Sequence, residues 1–136
     1  MKRDSYQSAS VTAALLHAGR RRMFERIRAG DMLSLDEAAA LMAVNVSMVV
    51  SWASCGKCVG LVLDGTIKVP SWQFDPAIWP AIKSTAAALG ATDGWQLLGF
   101  LETSTPALDR LTPRSALEQG VHVSRVLDVA FAEAHR

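Results

Sequence analysis

The chain has no run of about 18 apolar residues that could span a bilayer, so a membrane partner is not expected. It has no glycine-rich phosphate loop, no nucleophile elbow and no clustered metal ligands, which leaves the sequence without a catalytic or cofactor motif. Its acids Asp36, Glu37, Asp75, Asp93 and Glu102 stand where caps and turns account for them. The expectation is therefore a non-enzyme with no cofactor, no bound metal and no small-molecule substrate. Cysteine is scarce too: Cys55 and Cys58 form one Cys-x-x-Cys, and the three histidines are scattered, short of the four ligands of a structural zinc site. Free thiols are the simpler reading of that pair. A thiol-redox role is the enzymatic rival, with Lys57 between the two sulfurs, but it lacks the surrounding α/β pattern. No secretory signal follows the N-terminal Met1-Lys2-Arg3, and a cytoplasmic location is expected.

Half of the 136 residues are apolar, enough for one packed domain or two very small ones sharing a core. The formal charge is only +1, yet it is unevenly spread: residues 1–68 carry nine Lys/Arg and six Asp/Glu, residues 69–136 five and seven. A polyanion would meet the first half. After a polar opening expected to fray as far as Ser8, apolar residues Val11, Leu15, Leu16, Met23, Phe24 and Ile27 predict an amphipathic helix from Ser10 that stops by Gly30. Arg20, Arg21, Arg22, Arg26 and Arg28 lie on it. They read either as a solvated face paired with Glu25 and other acids or as phosphate contacts, since a guanidinium matches phosphate oxygens as a fork.

Ser34 followed by Glu37 is a capping-box signature, so a second helix is expected to begin there and to end near Val44, with Asn45 in a left-handed turn. Ser47 is expected to cap a third helix through Ser54. Ala38, Leu41, Met42, Val46, Val49 and Trp52 form the expected seam of a helix-turn-helix, whose second helix can enter a major groove. Its outward positions Asn45, Ser47, Met48, Ser51 and Ser54 carry no Arg or Lys before Lys57, and Lys68 is the next cation after that. Asp64-Gly65 between β-branched and apolar runs predicts a hairpin over 61–75, with Trp72 and Phe74 on one face of its second strand, Gln73 on the other, and Pro70 marking an edge strand. Further helices are expected over 78–89, stopped by Gly90; over 94–102, capped by Thr92-Asp93, with Trp95, Leu98 and Leu101 inward; after the Thr112-Pro113 cap; and over 123–135. The fold class is mainly α: a helix-turn-helix with a small β-hairpin wing followed by a C-terminal helical bundle. The boundary is set at 68/69, with the two parts packed as one unit.

The pattern from Leu35 to Trp52 resembles excisionase and MerR-like helix-turn-helix proteins. Pro70-x-Trp72-Gln73-Phe74-Asp75, Trp95-x-Leu97-Leu98-x-Phe100-Leu101-x-Thr103, Pro106-Ala107-Leu108 and Thr112-Pro113-x-x-Ala116-Leu117-x-x-Gly120 occur in order, and together resemble the toxin-binding domain of the Xre–MbcA–ParS antitoxin family. The resemblance implies a homodimeric antitoxin and transcriptional regulator. Its partners would be operator DNA and a RES-domain toxin that attacks NAD. DNA would be met by Arg20, Arg21, Arg22, Arg26, Asn45, Ser47, Met48, Ser51, Lys57 and Lys68. The toxin would face the region from Thr103 to His135 through Arg110, Arg114, Gln119, His122 and Arg125, and the apolar residues of the last helix would serve dimerisation. The alternative is an interaction or oligomerisation module whose helix-turn-helix does not bind DNA.

Overall fold

The structure is a computed structural model that describes the backbone from Lys2 to Arg136 and the side chains from Val11 onward. Met1, part of the opening expected to fray, lies outside the described residues. Two compact units divide the chain, Met1–Gly30 and Asp31–Arg136. The first is helix α1, Lys2–Ile27, which begins well ahead of the expected Ser10.

The second unit opens with strand β1 (Met32–Ser34), helix α2 (Leu35–Met42) and helix α3 (Val46–Ser54). Ser34 and Glu37 close the capping box in both directions: the Glu37 amide donates to Ser34 Oγ at 3.1 Å and the Ser34 amide to Glu37 Oε1 at 2.9 Å. Ala43, not Asn45, takes the left-handed position (φ 55) that ends α2, and the Val44 amide closes the end on the Ala39 carbonyl at 3.0 Å. Asn45 is instead the N-cap of α3, its Oδ1 accepting from the Met48 amide at 2.9 Å and from Ser47 Oγ at 2.7 Å. Asn at this position accepts from an orphan amide as readily as Ser, so the cap falls two residues earlier than expected. The two helix axes turn through 102°, a helix-turn-helix angle. Ala38 and Val49 fill the seam between them, but Leu41 is 58% exposed and does not belong to it.

Strands β2 (Leu61–Leu63) and β3 (Thr66–Pro70) form the wing, joined by Asp64 and Gly65, both at positive φ as a two-residue primed turn demands. The sheet is antiparallel in the order β1-β3-β2, so β3 is central and Pro70 is not on an edge strand. Proline fits because it is the last residue of β3. The ladder to β1 is closed by the Ser71 amide donating to the Asp31 carbonyl at 2.8 Å.

On the other side, the register that pairs Leu61 with Lys68 sets Val59 opposite Pro70, which has no N–H to offer. The Gln73 side chain stands in for it. Gln73 Oε1 accepts from the Val59 amide at 2.7 Å, and Nε2 donates to the carbonyls of Val59 and Pro70, each at 3.0 Å. Gln73 is fully buried.

The expected second strand ends at Pro70, and Ser71–Phe74 is a turn of 3-10 helix. With three residues per turn, successive side chains point about 120° apart, not to alternate faces. Trp72 therefore meets the Arg114 guanidinium, 4.5 Å above its ring. Phe74 lies on another side, against Trp79 and the helix-turn-helix core of Ala38, Ala39, Val49, Cys58 and Val69. The shared face expected of Trp72 and Phe74 does not exist.

The remaining elements are a 3-10 turn at Trp79–Ala81, α4 (Ile82–Leu89), α5 (Gly94–Leu101), a 3-10 turn at Pro106–Leu108, α6 (Pro113–Glu118) and α7 (Val123–Ala134). The expected caps hold: Gly90 is left-handed after α4, Asp93 accepts from the Gln96 amide, and Thr112 accepts from the Ser115 amide. Helix α4 presents Ile82, Thr85, Ala86 and Leu89, at spacings of three and four, to α7. Val126 and Ala130 of α7 are fully buried there, so they are spent inside this chain and unavailable for the dimer contact expected of them; Phe131 stays exposed. Among the described residues the chain is mainly helical with one three-stranded sheet. The 68/69 junction falls between consecutive residues of β3. No single helix among the described residues is long and apolar enough to cross a membrane.

Candidate functional site

Three surfaces carry the residues singled out in the sequence. The first is α3 with its wing. Asn45, Ser47, Met48 and Ser51 are exposed on α3, as is Val50, and the helix holds no charged side chain. The cap determines what Asn45 can do. With Oδ1 already accepting two hydrogen bonds, the amide cannot make the acceptor-plus-donor pair that reads an adenine edge. Ser47 donates to that same oxygen, which leaves Ser51 as the uncommitted hydroxyl of the expected set, among the described contacts.

The two cations of this surface are engaged within the fold. The Lys57 ammonium lies 5.2 Å from the Trp52 ring centre and 5.7 Å from that of Trp79. Lys68 is half-buried on β3, near Glu37. The Glu37 carboxyl is held below its ordinary 4.5 by the hydrogen bonds from the Ser34 amide and hydroxyl, with Lys68 adding a smaller attraction.

Beside α3 runs an open groove of about 480 Å³ lined by Val50, Ala53, Val62, Ile67, Gly94 and Trp95. The sequence did not single it out. Its floor is a close backbone approach: a Cβ on Gly94 would stand 1.9 Å from the Gly60 carbonyl oxygen, so only glycine lets α5 reach the wing. Trp95 then donates from Nε1 to the Val62 carbonyl at 3.0 Å, which satisfies an acceptor on the outer edge of β2. The signal was a glycine directly after a capping aspartate, where no cap requires one.

The second surface is the C-terminal one. Arg110 is exposed and left-handed (φ 68), directly after left-handed Asp109, in a loop closed by the Thr105 amide on the Leu111 carbonyl and the Arg110 amide on the Thr105 carbonyl. Arg125 reaches the same loop, donating from Nη2 to the Ala107 carbonyl at 3.2 Å. His122 caps α7, its Nδ1 accepting from the Ser124 amide at 3.1 Å. Gln119 ends α6 and is exposed.

Arg114 belongs to a different setting. It stacks on Trp72, donates to Glu118 Oε1 at 2.8 Å and lies 3.8 Å from Glu102, which gives it a structural role inside the module. A second open groove, of about 760 Å³, runs between α5 and the end of α7, lined by Trp95, Phe100, Thr105, Pro106 and Val129 among others.

The third surface is α1, which carries Arg20, Arg21, Arg22 and Arg26 in the separate unit Met1–Gly30. Phe24 has the guanidinium groups of Arg20 and Arg28 over its ring, at 5.3 and 5.6 Å.

Both cysteines are free thiols, Cys55 exposed and Cys58 buried. Burial pushes the Cys58 thiol up from 9.0 to about 12, outweighing the hydrogen bond with Gln73 that acts the other way. At neutral pH this sulfur holds its proton and is a poor nucleophile. Among the described residues, no group of three or more His, Cys, Asp or Glu side chains is placed to hold a metal ion. Comparison of the chain with protein-family models, with curated proteins and with solved structures returned no match.

Proposed function

We propose that the chain is an antitoxin-like transcriptional regulator, homodimeric, whose winged helix-turn-helix meets operator DNA and whose C-terminal helices bind and neutralise a RES-domain toxin. The reading starts from the ordered sequence motifs. The observation that carries it is the way the 3-10 turn Ser71–Phe74 ties two modules together. Phe74 packs against the helix-turn-helix side, Trp72 is stacked by Arg114 of α6, and Gln73 pins the wing between them. That joint leaves the outer face of α3 exposed and, separately, the Arg110 loop with Arg125 beside it. Two exposed guanidinium groups on one loop and its neighbouring helix suit an acidic protein surface.

Co-expression with a RES-domain toxin tests the reading. Growth rescue together with co-purification is expected, and the pair Arg110→Glu and Arg125→Glu should abolish both. Rescue without a complex contradicts direct neutralisation.

A second reading is an interaction module whose helix-turn-helix does not touch DNA. It is favoured by α3, which lacks charge, has its Asn45 oxygen committed to the cap and exposes Met48 and Val50. A gel shift with the chain's own promoter region at low salt separates the two, because electrostatic binding is strongest there.

A further inference from the structure

Resting on the regulator reading, we infer that the C-terminal half of α1 is a docking surface for the phosphodiester backbone of duplex DNA, one that binds without regard to base sequence. Charge is the first argument. The unit Met1–Gly30 holds seven Lys/Arg against two Asp/Glu, net +5, whereas Asp31–Arg136 holds seven against eleven, net −4. A polyanion is attracted by the first unit and repelled by the second.

Arg20, Arg21, Arg22 and Arg26 lie in the last turns of α1 and Arg28 directly follows its end, with Glu25 as the only acid in that stretch. At about 100° per residue, Arg20, Arg21 and Arg28 gather within roughly 100° of arc around Phe24, while Arg22 and Arg26 form a second row. The Phe24 ring braces the Arg20 and Arg28 guanidinium groups, which lie 5.3 and 5.6 Å from its centre. Arg21, Arg22 and Arg28 are exposed. Each guanidinium is a permanent cation with a planar fork of donors, matched to phosphate oxygens and unable to lose its charge with pH.

The second argument separates DNA from an anionic membrane, the other polyanion a basic helix can meet. A helix lying in a bilayer interface has an apolar face opposite its cations. Here the exposed apolar residues form no such face: Val11 and Leu15 share a row with Arg22 and Arg26, at steps of four, seven and four residues, while exposed Leu16 lies about 100° round the helix from Leu15. Burying Val11 and Leu15 would carry Arg22 and Arg26 down with them. The third argument concerns specificity. Phosphate contacts position a protein on DNA but carry no base information, and the helix expected to read bases has neither a cation nor a free Asn45 oxygen.

The test is fluorescence anisotropy of the full chain with a labelled duplex of arbitrary sequence, about 20 base pairs long, titrated between about 50 and 200 mM salt. Wild-type protein should bind at low salt and weaken steeply as salt rises. The double variant Arg21→Gln, Arg22→Gln, with an unchanged circular dichroism spectrum, should lose about tenfold in affinity for every duplex alike and lower the log–log salt slope by about 2. Lys83→Gln, which removes an exposed charge from α4, should leave both unchanged.

No binding at low salt, an unaltered slope in the double variant, or binding to anionic phospholipid vesicles with none to the duplex would each overturn the inference; the last result would identify a membrane as the occupant. Duplex binding that persists while toxin rescue fails removes the regulator reading alone. Toxin rescue without duplex binding removes this inference alone.

Discussion

Gln73 shows how one side chain can complete a backbone ladder. Proline at position 70 leaves Val59 without its cross-strand donor, and the Gln73 amide supplies both a donor and an acceptor in a fully dry place. Gln73→Leu fits the volume but orphans the Val59 N–H and carbonyl, and should cost about 3 kcal/mol in urea unfolding, since each buried unsatisfied group costs about 1–3 kcal/mol. Cys58 gives a second expectation at this scale. Its thiol keeps its proton up to about pH 12 in the folded chain but loses it near 9 when unfolded, so between those values the folded state binds more protons. Stability should therefore be unaffected by this group below about pH 8.5 and fall by up to about 1.4 kcal/mol per pH unit above it. Alkaline denaturation of wild type against Cys58→Ala measures that difference. Both residues were prominent in the sequence, Cys58 in Cys-x-x-Cys and Gln73 in Trp-Gln-Phe. Their roles were not, because burial depends on what the rest of the chain places around them.

The elements themselves were largely legible, because their ends are written in short-range chemistry. Ser34 with Glu37, Asp93, Thr112 before Pro113, and Gly90 all act where the sequence indicates. Asn45 took the cap expected of Ser47, since either can satisfy the first amides of α3 and the local pattern does not say which, while the left-handed turn fell to Ala43. The hairpin's second strand was read five residues too long. Alternation in Trp72-Gln73-Phe74 imitates a strand, and only the exhaustion of β1 as a partner ends the ladder at Pro70. The approach of α5 to the wing was invisible for a similar reason. Gly94→Ala should drive a Cβ into the Gly60 carbonyl, push the start of α5 off the wing and cost about 1–3 kcal/mol. A thermal melt gives the loss. The steady-state fluorescence of Trp95 should shift as its Nε1 bond to the Val62 carbonyl breaks.

Across Asp31–Arg136, the helix-turn-helix, the wing and the C-terminal helices have no place to come apart, because β3 and the turn after it contribute to both sides. Trp72 is 8% exposed, is stacked by Arg114 and has an indole N–H without a partner among the described residues. Trp72→Ala should destabilise this unit by about 3–5 kcal/mol and leave a single unfolding transition at lower denaturant. Two transitions, one for each side of the turn, would contradict the shared joint. Trp72→Phe keeps an aromatic platform for Arg114 and removes the unpaired N–H, so it should cost less.

By itself the sequence determined the capped ends at Ser34, Gly90, Asp93 and Thr112, the helix-turn-helix, the Asp64-Gly65 wing turn and the basic character of α1, since caps, turns and charge act over a few residues. Tertiary structure decided which cations stay at the surface, which apolar residues of α7 are consumed by α4, and that Gln73 faces inward to complete the wing. These outcomes depend on partners distant in the chain: Lys57 is held by Trp79, Arg114 by Trp72, Val126 and Ala130 by packing against α4. No local pattern contains them, because burial and pairing are properties of the surroundings, not of the residue.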